Sequence, residues 1–292
     1  GSIYALNFAK KLNIPLVVTF GGYDVPLLRT KRRFNPAYLR YWLLSGRMLR
    51  EVDLFLPVSK DLANKLIELG APPEKVKVFH RGIVVPEYKG KELKKENDSI
   101  KILMVGRFVE KKGFEYGIEA VSRAVNMGRK VELTIIGTGP LKTRYEKMIA
   151  FSNTGKNIKI LDNMPQAGIF KMMEDSDIIM VPSVVARNGD TEGITNVLKE
   201  GCARGMAALI THHGGNIEIV EDGITGFIVP ERDADALFEK LMLFSNDISL
   251  IRKMGDAAAL KTSNELDIRH TNEILEKHYD DVINDFSIKK VK

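Results

Sequence analysis

Short apolar stretches dominated by Val and Ile recur along the chain, at 16–20, 54–57, 76–79, 101–105, 131–136, 177–181, 208–211 and 227–229. They are apolar almost throughout rather than at alternate positions. A strand with one wet face alternates, so these runs suit strands covered on both faces, as in a parallel sheet flanked by helices. The longer stretches between them have helical patterning, for example 113–127, 141–151 and 196–204. Regular alternation of buried strand and amphipathic helix predicts an α/β fold with Rossmann-like layers.

The 292 residues are enough for two domains at roughly 100–200 residues each. The clearest division is the polar stretch PEYKGKELKKENDS at 86–99, after which a new apolar run, IKILMVG, begins at once. The expected organisation is a unit at 1–86, a linker at 87–99, a second unit at 100–266 and a helical tail at 267–292. The first unit offers only about three strands, few for a doubly wound sheet. It opens on what resembles the middle of a helix, with Ile3, Leu6 and Lys10 at helical spacing. It is expected to lack its first strands.

Composition narrows the class. Hydrophobic residues at 44% and charged residues at 28% exclude wholesale disorder. A single cysteine, Cys202, excludes an internal disulfide framework and a cysteine-based zinc cluster, and fits a reducing compartment. No apolar run approaches the roughly 18–20 residues that span a bilayer. The opening lacks the pattern of a signal peptide. A net charge of +6 mildly favours anionic partners without choosing among them.

The most informative motif is GDTEGITNVLKE at 189–200. Glu192 and Glu200 stand eight positions apart, about two helical turns, with Glu192 expected in a loop and Glu200 on a helix starting around Ile194. The backbone N–H groups of Ile194, Thr195 and Asn196 would then be first-turn donors without intrahelical partners, an arrangement that binds phosphate. A diphosphate at the helix end, flanked by hydroxyl-bearing sugars, fits this pattern. A solvated helix with an acidic first turn fits it too.

Several segments in order resemble one known family: GRFVEKKGFEYGIEAV, IIGTGPL, DIIMVPS and the long run GDTEGITNVLKEGCARGMAALITHHGGNIEIVEDGITGFIVPERD, with weaker likeness upstream in IPLVVTFGGYDV and LPVSKDLANKLIELGAPPEKVKVFHRGI. They look like family-4 retaining glycosyltransferases of the GT-B fold, bacterial exopolysaccharide or lipopolysaccharide type. The resemblance implies two Rossmann-like domains facing a cleft, the second holding a UDP- or GDP-type nucleotide sugar as substrate and the first meeting a glycan or lipid-linked acceptor. It implies no cofactor and no metal. The tail would cross back to the first domain.

Carried over residue by residue, the resemblance implies that Glu192 contacts donor-sugar hydroxyls and Glu200 the nucleotide ribose. Gly106, Gly193, Ile194, Thr195, Asn196 and Val197 would line the donor, the last three at its diphosphate. Arg107 and Lys112 would be the basic pair on that diphosphate, and with Glu192 they are the catalytic candidates. Fixed cations offset the charge that builds on a leaving diphosphate. The family often has histidine in a TFHGYD-like segment; here Thr19-Phe20-Gly21-Gly22-Tyr23-Asp24 places Gly21 there.

Other motifs carry less. Asp175-Ser176-Asp177 mimics a D-x-D metal site but falls at an expected helix end, where such residues are ordinary turn formers. Gly137-Thr138-Gly139 opens like a dinucleotide fingerprint, yet Lys142 stands where the third glycine belongs and only Asp162 offers an acid downstream. Asn97-Asp98-Ser99 is a sequon without a secretory context. His212 and His213 precede Gly214-Gly215 in an expected loop, where glycine backbone contacts suit a donor sugar better than histidine chemistry.

The segment 29–50 gathers Arg29, Lys31, Arg32, Arg33, Arg40, Arg47 and Arg50 among Phe34, Tyr38, Tyr41 and Trp42. It suits a solvated basic helix face or peripheral contact with an anionic membrane. No nucleic-acid recognition motif accompanies it. The expectation is a cytoplasmic enzyme with room for peripheral contact at the inner membrane face. Two other readings compete: a nucleotide-sugar-binding protein without turnover, and a GT-B epimerase that releases an altered sugar without an acceptor.

Overall fold

The computed structural model describes residues 2–22, 36–91 and 98–291. The first unit contains helix α1 (Ser2–Leu12), strand β1 (Val17–Phe20), helix α2 (Pro36–Glu51), strand β2 (Leu54–Pro57) and helix α3 (Lys60–Glu68). β1 and β2 pair in parallel, with Val17 opposite Leu54 and Phe20 opposite Pro57. Phe20, Phe55, Met48, Leu62 and Leu66 form the core between this sheet and its helices. Ser59 caps α3, its hydroxyl accepting from the Leu62 N–H at 3.2 Å. The Lys10 ammonium, 2.6 Å from the Glu51 carboxylate, ties α1 to α2.

The expected strand at 76–79 does not form as one. Val76 makes an isolated bridge to Phe55, and the Lys77 and Phe79 N–H groups donate to the Phe55 and Pro57 carbonyls at 2.9 Å. The segment leaves a single 3-10 turn, Pro73–Lys75, and so lies along β2 for too short a stretch to build a ladder.

The second unit is one six-stranded parallel sheet. Its strands are β3 (Ile100–Val105), β4 (Val131–Ile136), β5 (Ile158–Leu161), β6 (Ile178–Val181), β7 (Ala207–Thr211) and β8 (Gly226–Val229), in the spatial order β5-β4-β3-β6-β7-β8. The order runs outward from β3 in both directions. The chain reverses at the β3/β6 pair, the point where open α/β sheets form a crevice at the carboxyl ends of their strands. One face packs against α4 (Phe114–Asn126), α5 (Lys142–Phe151) and α8 (Ala234–Asn246) through Phe108, Phe114, Tyr145, Leu237 and Phe244. The other face packs against α6 (Gln166–Glu174), α7 (Asn196–Cys202) and α9 (Ser249–Leu266) through Leu103, Ile179, Leu198, Met206 and Ala258. Burial on both faces is what the continuous apolar runs require.

The connecting segment is held at described positions. The Tyr88 hydroxyl donates to Asp256 at 2.6 Å, and the Lys91 ammonium to the Met173 carbonyl at 2.9 Å. Helix α10 (Ile268–Val291) returns to the first unit, where Val282 and Leu275 pack with Leu54, Leu56 and Phe79. Asp267 caps α10, accepting from the Arg269 N–H at 2.9 Å, and Ile83 bridges to Asp267 beside it. In the basic and aromatic segment, Arg29, Lys31, Arg32, Arg33 and Phe34 lie outside the described residues; helix α2 covers the rest of it.

Candidate active site

Lys112 reaches the carboxyl edge of the sheet through a forced turn. After β3, a 3-10 turn at Glu110–Lys112 closes on Gly113, whose φ of +60° is left-handed. A Cβ there would stand 1.9 Å from the Pro182 carbonyl oxygen, so only glycine lets this turn pack on the strand end of β6.

Glu192 arrives from the opposite side. The loop after β6 folds on itself, with the Ala186 N–H donating to the Asp190 carbonyl and the Gly189 N–H to that of Ala186. At its end the Glu192 carboxylate meets two ammonium groups. Lys112 Nζ is 3.1 Å and Lys111 Nζ 3.3 Å from Oε1, and Lys111 is also 3.1 Å from Asp190 Oδ1. Neither ammonium is aligned as a hydrogen bond to Oε1, which is itself buried. The pairing is therefore electrostatic.

Helix α7 begins at Asn196, with Thr195 as its first flanking residue, two positions beyond the expected start. Thr195 is spent on structure: its N–H and hydroxyl both donate to Asn216 Oδ1, at 2.9 and 3.1 Å. Of the three expected phosphate donors, the Thr195 N–H is thus already paired. The first intrahelical bond runs from Lys199 N–H to Thr195 C=O, so Asn196 and Val197 keep the first-turn donors that lack helical partners. Glu200, one turn deeper and half-buried, accepts from Gln166 Nε2 at 3.3 Å.

These residues line one cleft of about 470 Å³ between the two units. Its walls carry Gly106, Lys112, Glu192, Ile194, Thr195, Asn196, Val197 and Glu200 from the second unit, and Gly21, Val58 and Arg81 from the first. Gly193 is buried at the junction, where a Cβ would stand 2.6 Å from the Gly21 carbonyl oxygen. Arg107 is exposed and is not among the lining residues, although it directly follows Gly106. Gly21 has open space where a side chain would begin.

Four participants escaped sequence reasoning. Lys111 shares the Glu192 carboxylate. Lys199 lines the cleft yet is 2% exposed, and its ammonium donates to the Arg81 carbonyl at 2.7 Å across the two units. Burial, reinforced by the Arg81 guanidinium, brings the Lys199 ammonium down to about 8. Arg81 itself lines the cleft from the first unit, and His213 lies buried behind the Glu192 loop. Three cationic side chains, Arg81, Lys112 and Lys199, face two carboxylates here, so the cleft suits an anionic ligand that also offers hydroxyls. Lone lysines and an arginine beside apolar runs give no sequence signal for such a gathering.

The D-x-D candidate has structural partners. Asp177 Oδ2 accepts from the Lys101 N–H at 2.6 Å, the Ser176 hydroxyl donates to the Met172 carbonyl at 2.6 Å, and Asp175 ends α6.

Comparison with known proteins places this architecture. Residues 85–261 match the family model described as glycosyl transferases group 1, and residues 1–85 that described as glycosyltransferase family 4. The amylovoran biosynthesis glycosyltransferase AmsK of Erwinia amylovora is 33% identical over 276 residues, covering 93% of this chain and 66% of that protein. The chain spans 55–66% of the length of AmsK and two other curated relatives that it matches. Among solved structures, HepE of Anabaena in complex with UDP superposes with a TM-score of 0.79 at 18% identity, over 96% of this chain and 76% of that one. HepE with UDP-glucose gives a TM-score of 0.75 over the same shares.

Proposed function

The chain belongs to the group 1, family-4 glycosyltransferases with the GT-B fold, and we propose that it transfers a hexose-type sugar, with retention, from a UDP- or GDP-type nucleotide sugar to a glycan or lipid-linked acceptor in cell-surface polysaccharide synthesis. The observation that carries this reading is the single cleft shared by Lys112, Glu192, the start of α7 and Glu200.

In the proposed reaction Glu200 holds the ribose, and the donors of Asn196 and Val197 with Lys112 hold the diphosphate. Arg107, which has no carboxylate partner among the described residues, reaches the diphosphate from the solvent side. Glu192 contacts the sugar hydroxyls. The bond between the anomeric carbon and the diphosphate oxygen breaks while the acceptor oxygen bonds to the same face of the sugar. The leaving phosphate oxygen takes the acceptor's proton, so no protein base is needed, and the absence of a side chain at Gly21 is compatible with turnover. The cations stabilise the charge on the departing diphosphate, where fixed electrostatics act most strongly.

AmsK is named for amylovoran biosynthesis, and the HepE structures hold UDP and UDP-glucose; both support the assignment. Peripheral membrane contact through the basic and aromatic segment 29–50 belongs to the same reading and is checked by co-sedimentation with anionic liposomes at low and high salt. A panel of UDP- and GDP-sugars, assayed for binding and for nucleotide release with and without acceptor glycans, tests the function. Acceptor-dependent release is expected. Binding without release would favour the second reading, a nucleotide-sugar-binding protein, for which the open position at Gly21 speaks. A free altered sugar would indicate an epimerase.

A further inference from the structure

His213 sits immediately behind the Glu192 loop with its side chain sealed from solvent. The Glu192 backbone N–H donates to His213 Nε2 at 3.0 Å, and the Thr191 hydroxyl lies 3.0 Å from the same nitrogen. A backbone N–H can only donate, so Nε2 must present its lone pair and the ring proton must sit on Nδ1. Nδ1 is 2.5 Å from Glu231 Oε1, the acceptor that this tautomer requires. The other Glu231 oxygen accepts from the Val185 N–H at 2.9 Å. A chain of bonds therefore runs from the start of the 185–193 loop, through Glu231 and the imidazole, to the backbone of Glu192 at its end. The glycines after His213 complete the seat: a Cβ on Gly214 would stand 2.4 Å from the Glu192 carbonyl oxygen, so the two loops touch backbone to backbone.

We propose that His213, oriented by Glu231, is a positioning residue of the donor site: its neutral, Nδ1-protonated ring fixes the Glu192 backbone and so aims the Glu192 carboxylate into the cleft. The link to the sugar rests on the donor-site reading given above; the link to the backbone does not. Positioning of this kind matters because a misplacement of about 1 Å can lower turnover on the order of 10²-fold.

The test uses the full chain and the variants His213→Phe, which keeps a ring but neither bond, and His213→Gln, whose amide oxygen can accept from the Glu192 N–H while its nitrogen donates to Glu231. Amide hydrogen exchange at Glu192 reads the positioning directly. His213→Phe is expected to lose protection there, and His213→Gln to keep it. Calorimetry with UDP-glucose and UDP, and in parallel with GDP-mannose and GDP, reads the consequence. His213→Phe is expected to weaken the nucleotide sugar about tenfold or more while changing the free nucleotide less than twofold. In a Glu192→Ala background His213→Phe should add nothing.

Unchanged exchange at Glu192 in His213→Phe, equal behaviour of the Phe and Gln variants, or an undiminished effect of His213→Phe in the Glu192→Ala background would each overturn the proposal. If His213→Phe does not fold, Glu231→Met, at a partly exposed position, must produce the same loss of protection. Failure of the donor-site reading looks different: Glu192→Ala alone would then leave nucleotide-sugar affinity unchanged, with the exchange result still deciding the role of His213.

Discussion

The ammonium of Lys112 stands 3.1 Å from Glu192 Oε1, joining the end of the first strand–turn of the second unit to the loop before α7. The carboxylate fixes where this cation sits, and the cation offsets a charge that would otherwise oppose an anionic ligand in the cleft.

Loss of that cation should affect chemistry far more than folding. Lys112→Ala is expected to lower turnover by about 10²–10³, the usual magnitude for removing a fixed electrostatic stabiliser, with a nearly unchanged unfolding midpoint. Lys111, 3.3 Å away, still neutralises Glu192 in that variant. Arg107→Ala should act in the same direction. Nucleotide release measured beside thermal unfolding checks both, and normal turnover in a folded Arg107→Ala protein would remove Arg107 from the site.

The two carboxylates should separate by ligand. Glu200→Ala is expected to weaken free nucleotide and nucleotide sugar alike, because both carry the ribose. Glu192→Ala should spare the free nucleotide and weaken only the sugar-bearing ligand. Calorimetry with UDP and UDP-glucose distinguishes them; equal losses for both ligands in both variants would defeat the assignment.

Lys199 gives the cleft a pH dependence. Its folded value of about 8 lies below the ordinary 10.5, so between these limits the unfolded chain holds a proton that the folded chain has released. Stability contributed by this residue therefore rises as pH climbs from about 8 to about 10.5. Affinity for a diphosphate should move the other way, falling as the ammonium loses its charge. Unfolding free energy and UDP calorimetry at pH 7 and 9 check the two signs, and both trends should flatten in Lys199→Met.

Gly193→Ala should strain the seam between the units. Its Cβ would stand 2.6 Å from the Gly21 carbonyl oxygen and 3.1 Å from Val58 Cγ2, so backbone must move. Overpacking of this kind costs about 1–3 kcal/mol. Chemical denaturation should register a loss in that range; an unaltered stability would mean the two backbones can separate freely at this point.

The strand–helix alternation was legible because the central strands β3, β4, β6 and β7 are covered on both faces and must be apolar throughout. Edge positions gave less. Ile158–Leu161 is short and interrupted by Lys159, and residues 76–79 are apolar enough for a strand but contribute only one bridge. At the site, the Glu192–Glu200 spacing and the helix start were readable because they are local in sequence. The engagement of Thr195 by Asn216, the burial of Lys199 against Arg81 and the seat of His213 under Glu192 depend on segments brought together only by the sheet. A sequence lists such residues without their distances, and His213 beside its two glycines carries no periodic signal for the hydrogen bond it accepts from the Glu192 backbone.

Glu218 extends one oxygen to the Lys60 N–H at 2.7 Å, at the start of α3, and the other to His80 Nε2 at 2.9 Å, so one carboxylate of the second unit grips two groups of the first. Together with the Lys199–Arg81 bond, it holds the two units against each other across the cleft. Where binding needs the two units apposed, each bond that holds them so raises the share of molecules able to bind, and the apparent affinity with it. Cutting this grip would convert part of the population into open molecules. The deficit would surface as weaker capture of donor at low concentration and vanish at saturation.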